Sequence, residues 1–205
     1  MKPLVLIGGG GHARSVAAML ERSRPIAGYT DKAPTGLDMP YLGTDSCLDP
    51  ASSDYETLVT VGFGAGASLG ARSAIFNHFP ATACEPVIAP SAWVSRSAGI
   101  GRGTAVMARA TVNACSIGAN AVINTGAIIE HDCTIEDNCF IGPGAIVCGG
   151  AFIGGGTFIG AGAIIREGVS IAAGTTIGMG SVVTATIEEP GTYVGNPARK
   201  INKKS

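Results

Sequence analysis

TIEDNCFIGPGAIVCGGAFIGGGTFIGAGAIIREGVSIAAGTTIGMGSVV, residues 134–183, repeats itself every six residues. Extended back to Ile117, the step lands on Ile123, Ile129, Ile135, Ile141, Val147, Ile153, Ile159, Ile165, Ile171, Ile177 and Val183, so all twelve positions are Ile or Val. Upstream the same step gives Ile88, Val94, Ile100, Val106 and Val112, offset by one residue from the later series. Two residues before each aliphatic stands a mostly small one: Ala121, Ala127, Cys133, Cys139, Ala145, Ala151, Thr157, Ala163, Thr175 and Ser181.

A period of six is neither the 3.6 of a helix nor the 2 of a lone strand. It is the period of a parallel β-helix in which each hexapeptide is a short strand plus a corner, and three make one coil. The aliphatic residue points inward. The small residue takes the corner, where a larger side chain would collide with its neighbours. Coils stack about 4.8 Å apart, so each backbone pairs with the coils above and below it. The offset between Val112 and Ile117 predicts a shortened corner. Cys115, Cys133 and Cys139 fall at small-residue positions and are read as packing groups.

At this point the segments TIEDNCFIGPGAIVCGG and FIGAGAIIREGVSIAAGTTIGMGSVV resemble the hexapeptide-repeat acyltransferases. The resemblance implies a left-handed β-helix, acetyl-CoA as co-substrate and a homotrimer. The hand is supplied by the resemblance alone, since left-handed parallel crossovers are otherwise rare.

Composition bounds the partners. The formal net charge is −1 and only 14% of residues are charged, which speaks against nucleic acid as a partner. The N-terminal MKPLVLIGGGGHARS has an apolar run too short for a signal-peptide core, and no segment reaches membrane-spanning length. The expectation is a cytoplasmic protein without a membrane partner. The six cysteines, Cys47, Cys84 and Cys148 among them, form no CxxC pair and are expected as reduced thiols.

The first eighty-odd residues read differently. Leu4 to Ile7 is a strand, followed by a glycine turn and a helix from about His12 to Arg22. IAGYTD reads as a second strand, and ETLVTVGFGAGASLGARSAIFNHF as a strand ending at Gly62 and a helix to about Phe79. The expected organisation is therefore a small βαβ domain, a Rossmann-like half, over residues 1–84, with the β-helix over 85–205. The turn matches G-x-G-x-x-A through Gly8, Gly10 and Ala13, with Asp31 about twenty residues on, which is the dinucleotide fingerprint. A full dinucleotide fold needs two such halves. Glycine amides and a helix N-terminus suit any phosphate, so a nucleoside diphosphate, NAD and a purely structural turn stand as alternative readings.

Turn and β-helix together narrow the resemblance to the nucleotide-sugar amino-acetyltransferases of bacterial surface-glycan synthesis, with the sialic acid O-acetyltransferase-like proteins in the same group. The UDP-4-amino-sugar N-acetyltransferase of bacillosamine synthesis is its best-known type. The segments that carry it are GGGGHARS, GYTDK, TVGFG, INTGAIIEHD and GTYVGNPARKI. The resemblance implies that Gly10, Gly11, His12 and Asp31, with Gly62 and Lys32, hold the nucleotide sugar. It puts Asn124 against the acceptor sugar and Gly149 at the thioester carbonyl. The pantetheine of the coenzyme would lie near Gly160, Ala161, Ala163, Gly178 and Met179. Phe140 stands where the type has a second histidine. Arg199 or Lys200 is placed to meet coenzyme phosphates, or forms a solvated basic end.

The chemistry is expected at GAIIEHDCTI, residues 126–135, where Glu130, His131 and Asp132 interrupt an apolar stretch. With Ile129 and Cys133 inward, the three charges fall on an exposed turn. A plain polar turn is one reading. The other makes His131 the general base that takes the amine proton, with Asp132 fixing its tautomer. The resemblance favours the second, although its type carries Glu in place of Asp132. Histidines number three, His12, His78 and His131; His78 is read as a helix-end residue and no metal site is expected. The expected activity is N-acetylation of a nucleotide-linked amino sugar. The alternatives are O-acetylation of a sugar hydroxyl and non-catalytic nucleotide-sugar binding.

Overall fold

The computed structural model describes residues 2–62 and 69–201, and the chain divides into two compact units, Met1–Val87 and Ile88–Ser205. The first unit runs β1 (Leu4–Ile7), α1 (Gly11–Leu20), β2 (Ile26–Thr30), β3 (Tyr41–Gly43), β4 (Glu56–Val59) and α2 (Leu69–His78). Its four strands are parallel in the order β3-β2-β1-β4. β1 is central, and LVLI is buried along its whole length, as a strand covered on both faces must be. α1 buries Ala13, Val16 and Leu20, one stripe at helical spacing. Inside α2 the buried Arg72 donates through Nη1 to the Val59 carbonyl and so ties helix to sheet.

Sequence reading placed these elements but not all their limits. α1 stops at Leu20, two residues before the expected Arg22, and β4 ends at Val59 rather than at Gly62. β3 and a 3₁₀ turn, Asp45–Cys47, were not anticipated. Residues 63–68, the end of TVGFG and the start of the expected second helix, lie outside the described residues.

The second unit is a left-handed parallel β-helix of two-residue strands. Three sides recur in strict rotation. The first carries Val87–Ile88, Ala105–Val106, Val122–Ile123, Phe140–Ile141, Phe158–Ile159 and Thr176–Ile177. The second runs from Trp93–Val94 through Ile128–Ile129 to Val182–Val183, and the third from Gly99–Ile100 through Thr134–Ile135 to Ser170–Ile171. Each pair is in register, inward residue on inward residue: Ile129 faces Val147 and Ile135 faces Ile153. The shortened corner is there as well. Ile129 pairs with Val112, 17 residues back (129 − 112), whereas Val147 is 18 on (147 − 129).

Every inward aliphatic from Ile117 to Val183 is buried, most of them completely. The corner residues Ala121, Ala127, Cys133, Cys139, Ala145, Ala151 and Ala163 are buried beside them, so these thiols are core groups. Burial pushes the Cys139 thiol up to about 12. At its end the prism carries a two-stranded cap, Thr192–Val194 antiparallel to Arg199–Ile201.

Candidate active site

At the corner between the second and third sides the chain must turn from Ile129 to Thr134 in four residues. Asp132 takes the left-handed conformation there, with φ of 61°, while the same position in the next two coils is Gly150 and Gly168. A side chain in that conformation costs on the order of 1 kcal/mol over glycine. Two backbone bonds set the corner. The Asp132 amide donates to the Ala114 carbonyl below at 2.7 Å, and the Gly150 amide donates to the His131 carbonyl at 2.9 Å.

The side chains then meet. His131 Nδ1 lies 2.8 Å from Asp132 Oδ2, both groups open to solvent. With its proton on Nδ1 and shared with the carboxylate, the imidazole leaves Nε2 unprotonated. The hydrogen bond to Asp132, then the Asp132 charge and, least, the Glu130 charge, raise the His131 pKa above its ordinary 6.5. Its ring rests on Gly149 of the coil above, where an added Cβ would lie 2.8 Å from Cε1 and 2.9 Å from Nε2. Glu130, which the sequence left as a polar turn residue, accepts a 3.2 Å hydrogen bond from Asn113 Nδ2 one coil below.

The other residues expected around the β-helix site lie elsewhere on the prism. Asn124, Gly160, Ala161, Gly178 and Met179 follow strands of the first side, so they occupy the preceding corner, and Ala163 leads from it into the second side. Part of their smallness is steric: a Cβ on Gly160 would fall 2.6 Å from the Met179 amide nitrogen, and one on Gly178 would fall 2.7 Å from Val194. Met179 is 80% exposed. Asn124 uses its Oδ1 to accept from the Thr125 amide at 2.7 Å. Phe140 stacks on Phe158 with centroids 4.9 Å apart. In the tail Lys200 is paired with Glu189 at 3.0 Å, and Arg199 donates to the Ala198 carbonyl.

In the first unit a cavity of about 550 Å³ opens at the carboxyl ends of the strands, where ligands bind to open parallel sheets. Gly8, Gly10, Asp31, Lys32 and Gly62 line it together with Ile7, Thr44, Asp45, Ser46, Val61, Ala71 and Ile75. The glycine turn is pinned tightly. Gly8 has φ of 105° and no room for a Cβ beside the Val61 amide, 2.8 Å away. The Gly9 amide donates to Asp31 Oδ2 at 2.8 Å and the Lys32 amide to Asp31 Oδ1 at 2.7 Å, so this carboxylate holds the turn. Gly10 caps α1 with no side-chain bond, which leaves the helix N-terminus for an anion, and Gly11 is exposed.

His12 is placed differently from the other turn residues. It does not line this cavity, and its Nε2 is buried with no hydrogen-bond partner among the described residues. Burial, and then the nearby Arg72 charge, lower its pKa to about 3, so it is neutral at physiological pH. Thr44, Asp45 and Ser46 were missed in the sequence, because a three-residue strand and a 3₁₀ turn carry no periodic pattern. Among the described residues no group of three or more His, Cys, Asp or Glu is placed to hold a metal ion. No helix among them is long and apolar enough to cross a membrane.

A solid prism of such hexapeptide coils has known counterparts. The family model for bacterial transferase hexapeptide (six repeats) matches residues 114–149 and 150–185. PerB from Caulobacter crescentus, solved in complex with CoA and GDP-perosamine, is 33% identical, with 98% of each chain covered and a TM-score of 0.86. The acetyltransferase domain of PglB from Neisseria gonorrhoeae, solved with acetyl coenzyme A, is 31% identical over 98% of this chain and 99% of that one, with a TM-score of 0.89. WeeI from Acinetobacter baumannii, at 20% identity and a TM-score of 0.70 over 98% and 100% of the two chains, shares the fold. A comparison with curated proteins finds no match. The chain belongs to the hexapeptide-repeat acyltransferases of left-handed β-helix fold. Within them it falls among the sugar N-acetyltransferases, the group that its motifs resemble.

Proposed function

We propose that this chain transfers the acetyl group of acetyl-CoA to the amino group of a nucleotide-linked amino sugar of the 4-amino-4,6-dideoxy type. The reaction belongs to the cytoplasmic stage of bacterial surface-glycan synthesis. The reading is carried by the His131–Asp132 pair, 2.8 Å apart and seated on Gly149, in a chain similar over nearly all its length to proteins solved with CoA or acetyl-CoA.

His131 Nε2 takes the proton of the acceptor amine as its nitrogen attacks the thioester carbonyl. The new C–N bond forms, the C–S bond breaks, and the imidazolium returns the proton to the departing thiolate. No acyl-enzyme is formed. Asp132 holds the ring in one tautomer and stabilises the imidazolium. The Gly149 amide serves the developing oxyanion. Gly10, Gly11, Asp31, Lys32 and Gly62 hold the nucleotide, and Asn124 meets the sugar.

The coenzyme runs along Gly160, Ala161, Ala163, Gly178 and Met179. In one chain this corner is a full side of the triangle away from His131. The second side between the two corners presents Trp93, 56% exposed, and Ile164, 37% exposed, with Ile128, Ile146 and Val182 half-buried in the same outward ladder. An apolar face between two half-sites favours a homotrimer in which His131 of one subunit faces coenzyme held by the next.

The test is release of free thiol from acetyl-CoA across a panel of amino-sugar nucleotides. Release with amino acceptors supports the reading. Release only with sugar hydroxyls replaces it by O-acetylation, and nucleotide-sugar binding without acetyl-CoA binding replaces it by a binding protein.

A further inference from the structure

We propose that Asp45 selects the nucleobase and that the base is guanine, so that the acceptor is a GDP-linked sugar. The inference rests on the nucleotide-sugar reading of the first unit.

Two carboxylates line the cavity, and they are not equivalent. Both oxygens of Asp31 are engaged by the Gly9 and Lys32 amides. Asp45 uses Oδ1 alone, accepting from Thr30 Oγ1 at 2.7 Å, and among the described residues its Oδ2 makes no hydrogen bond. The Thr30 bond fixes the carboxylate on the wall, so its acceptor capacity is aimed by the fold. Thr44 and Ser46, on either side in the chain, engage each other at 2.8 Å.

Charge divides the cavity. Phosphates belong at the glycine turn, where α1 begins without a side-chain cap. Asp31 also stands at this turn but has both oxygens engaged by backbone amides, whereas Asp45 keeps Oδ2 open and repels a diphosphate, so the Asp45 wall receives the nucleoside end. Ile7, Val61, Ala71 and Ile75 supply apolar surface for a flat ring.

A fixed carboxylate seeks adjacent N–H donors. Guanine presents N1–H and the N2 amino group side by side, with O6 beside them as an acceptor for the Lys32 ammonium on the same cavity. Uracil presents one N–H between two carbonyl oxygens, which the carboxylate repels. Adenine and cytosine set a ring acceptor against it. PerB, 33% identical over nearly its full length, is solved with GDP-perosamine, which agrees with this choice.

The test titrates the full chain, and its Asp45→Asn and Asp45→Ala variants, with GDP, UDP, ADP and CDP by calorimetry. Asp45→Asn keeps an acceptor for Thr30 but replaces the second oxygen by a donor that opposes the guanine N–H groups. The wild type is expected to bind GDP at least tenfold more tightly than the others. Asp45→Asn is expected to lose about 10- to 100-fold for GDP, the range of a bidentate base contact, with UDP little changed. Acetyl-CoA affinity and melting temperature serve as controls and stay constant. Equal losses for all four nucleotides would assign Asp45 to the ribose and overturn the proposal, as would a preference for UDP. If no nucleotide binds the wild type while acetyl-CoA does, the nucleotide-sugar reading itself fails with it.

Discussion

The His131 ring lies on Gly149 so closely that a methyl group at residue 149 would sit 2.8 Å from Cε1 and 2.9 Å from Nε2. The contact is between a glycine of one coil and an exposed side chain of the coil before it. Gly149→Ala is therefore expected to swing the ring away without disturbing the prism. kcat should fall while the melting temperature stays within a degree or two. A variant with full kcat would show that the ring does not work from this position.

Removing the imidazole is a stronger test. His131→Ala is expected to lower kcat by about 10²- to 10⁴-fold, the usual contribution of a positioned base. Binding of acetyl-CoA and of the nucleotide, each followed by calorimetry, should be unchanged. Full activity on every acceptor would remove His131 from the mechanism.

The pH profile carries a sign. A base must be unprotonated, and Asp132 raises the His131 pKa above 6.5 through its hydrogen bond and then its charge. kcat/KM should therefore rise with pH through a midpoint above 6.5. In Asp132→Asn the midpoint should move down, because the charge that favoured the imidazolium is gone, and the plateau should fall as the tautomer is lost. Linkage runs the opposite way. The pair's small contribution to stability is present at low pH and is lost as pH rises through the folded-state pKa of His131.

Asp132 also separates function from stability. Its φ of 61° suits glycine, the residue at the equivalent corners 150 and 168. Asp132→Gly is expected to leave the melting temperature unchanged or slightly higher while activity drops. Ile129→Ala, in the strand that leads into this corner and completely buried, should do the reverse to the fold and destabilise it by about 2–5 kcal/mol in denaturant unfolding.

Trp93→Glu combined with Ile164→Glu places charges on the exposed apolar side of the prism. The double variant is expected to sediment as a monomer and to lose acetyl transfer, although its His131–Asp132 pair is intact. A monomer with full activity would place the whole site within one chain.

Much of this was legible in the sequence because the β-helix repeats its own instruction. Each inward Ile or Val and each small corner residue is fixed by the copy above it, so the one-residue offset at Val112 could be read as a short corner. The His131–Asp132 pair was legible because the two are chain neighbours on a turn. Asp45 was not, since its place on the cavity wall depends on how a three-residue strand joins β2. His12 looked like a wall residue from its motif, but the direction of a side chain at a helix start is set by tertiary packing, here beside the buried Arg72.

The 18-residue spacing between Ile129 and Val147 has a consequence for engineering. Only two successive coils, those of His131 and Gly149, build the reacting corner, and each coil touches just its neighbours. Duplicating a whole coil beyond Gly168 would lengthen the column and leave that corner unchanged. Inserting a single residue within a two-residue strand there would turn its aliphatic out toward water, whereas a change of one residue at a corner is absorbed, as the 17-residue spacing between Val112 and Ile129 shows. Such a molecule grows by whole coils and takes up smaller changes only at its corners.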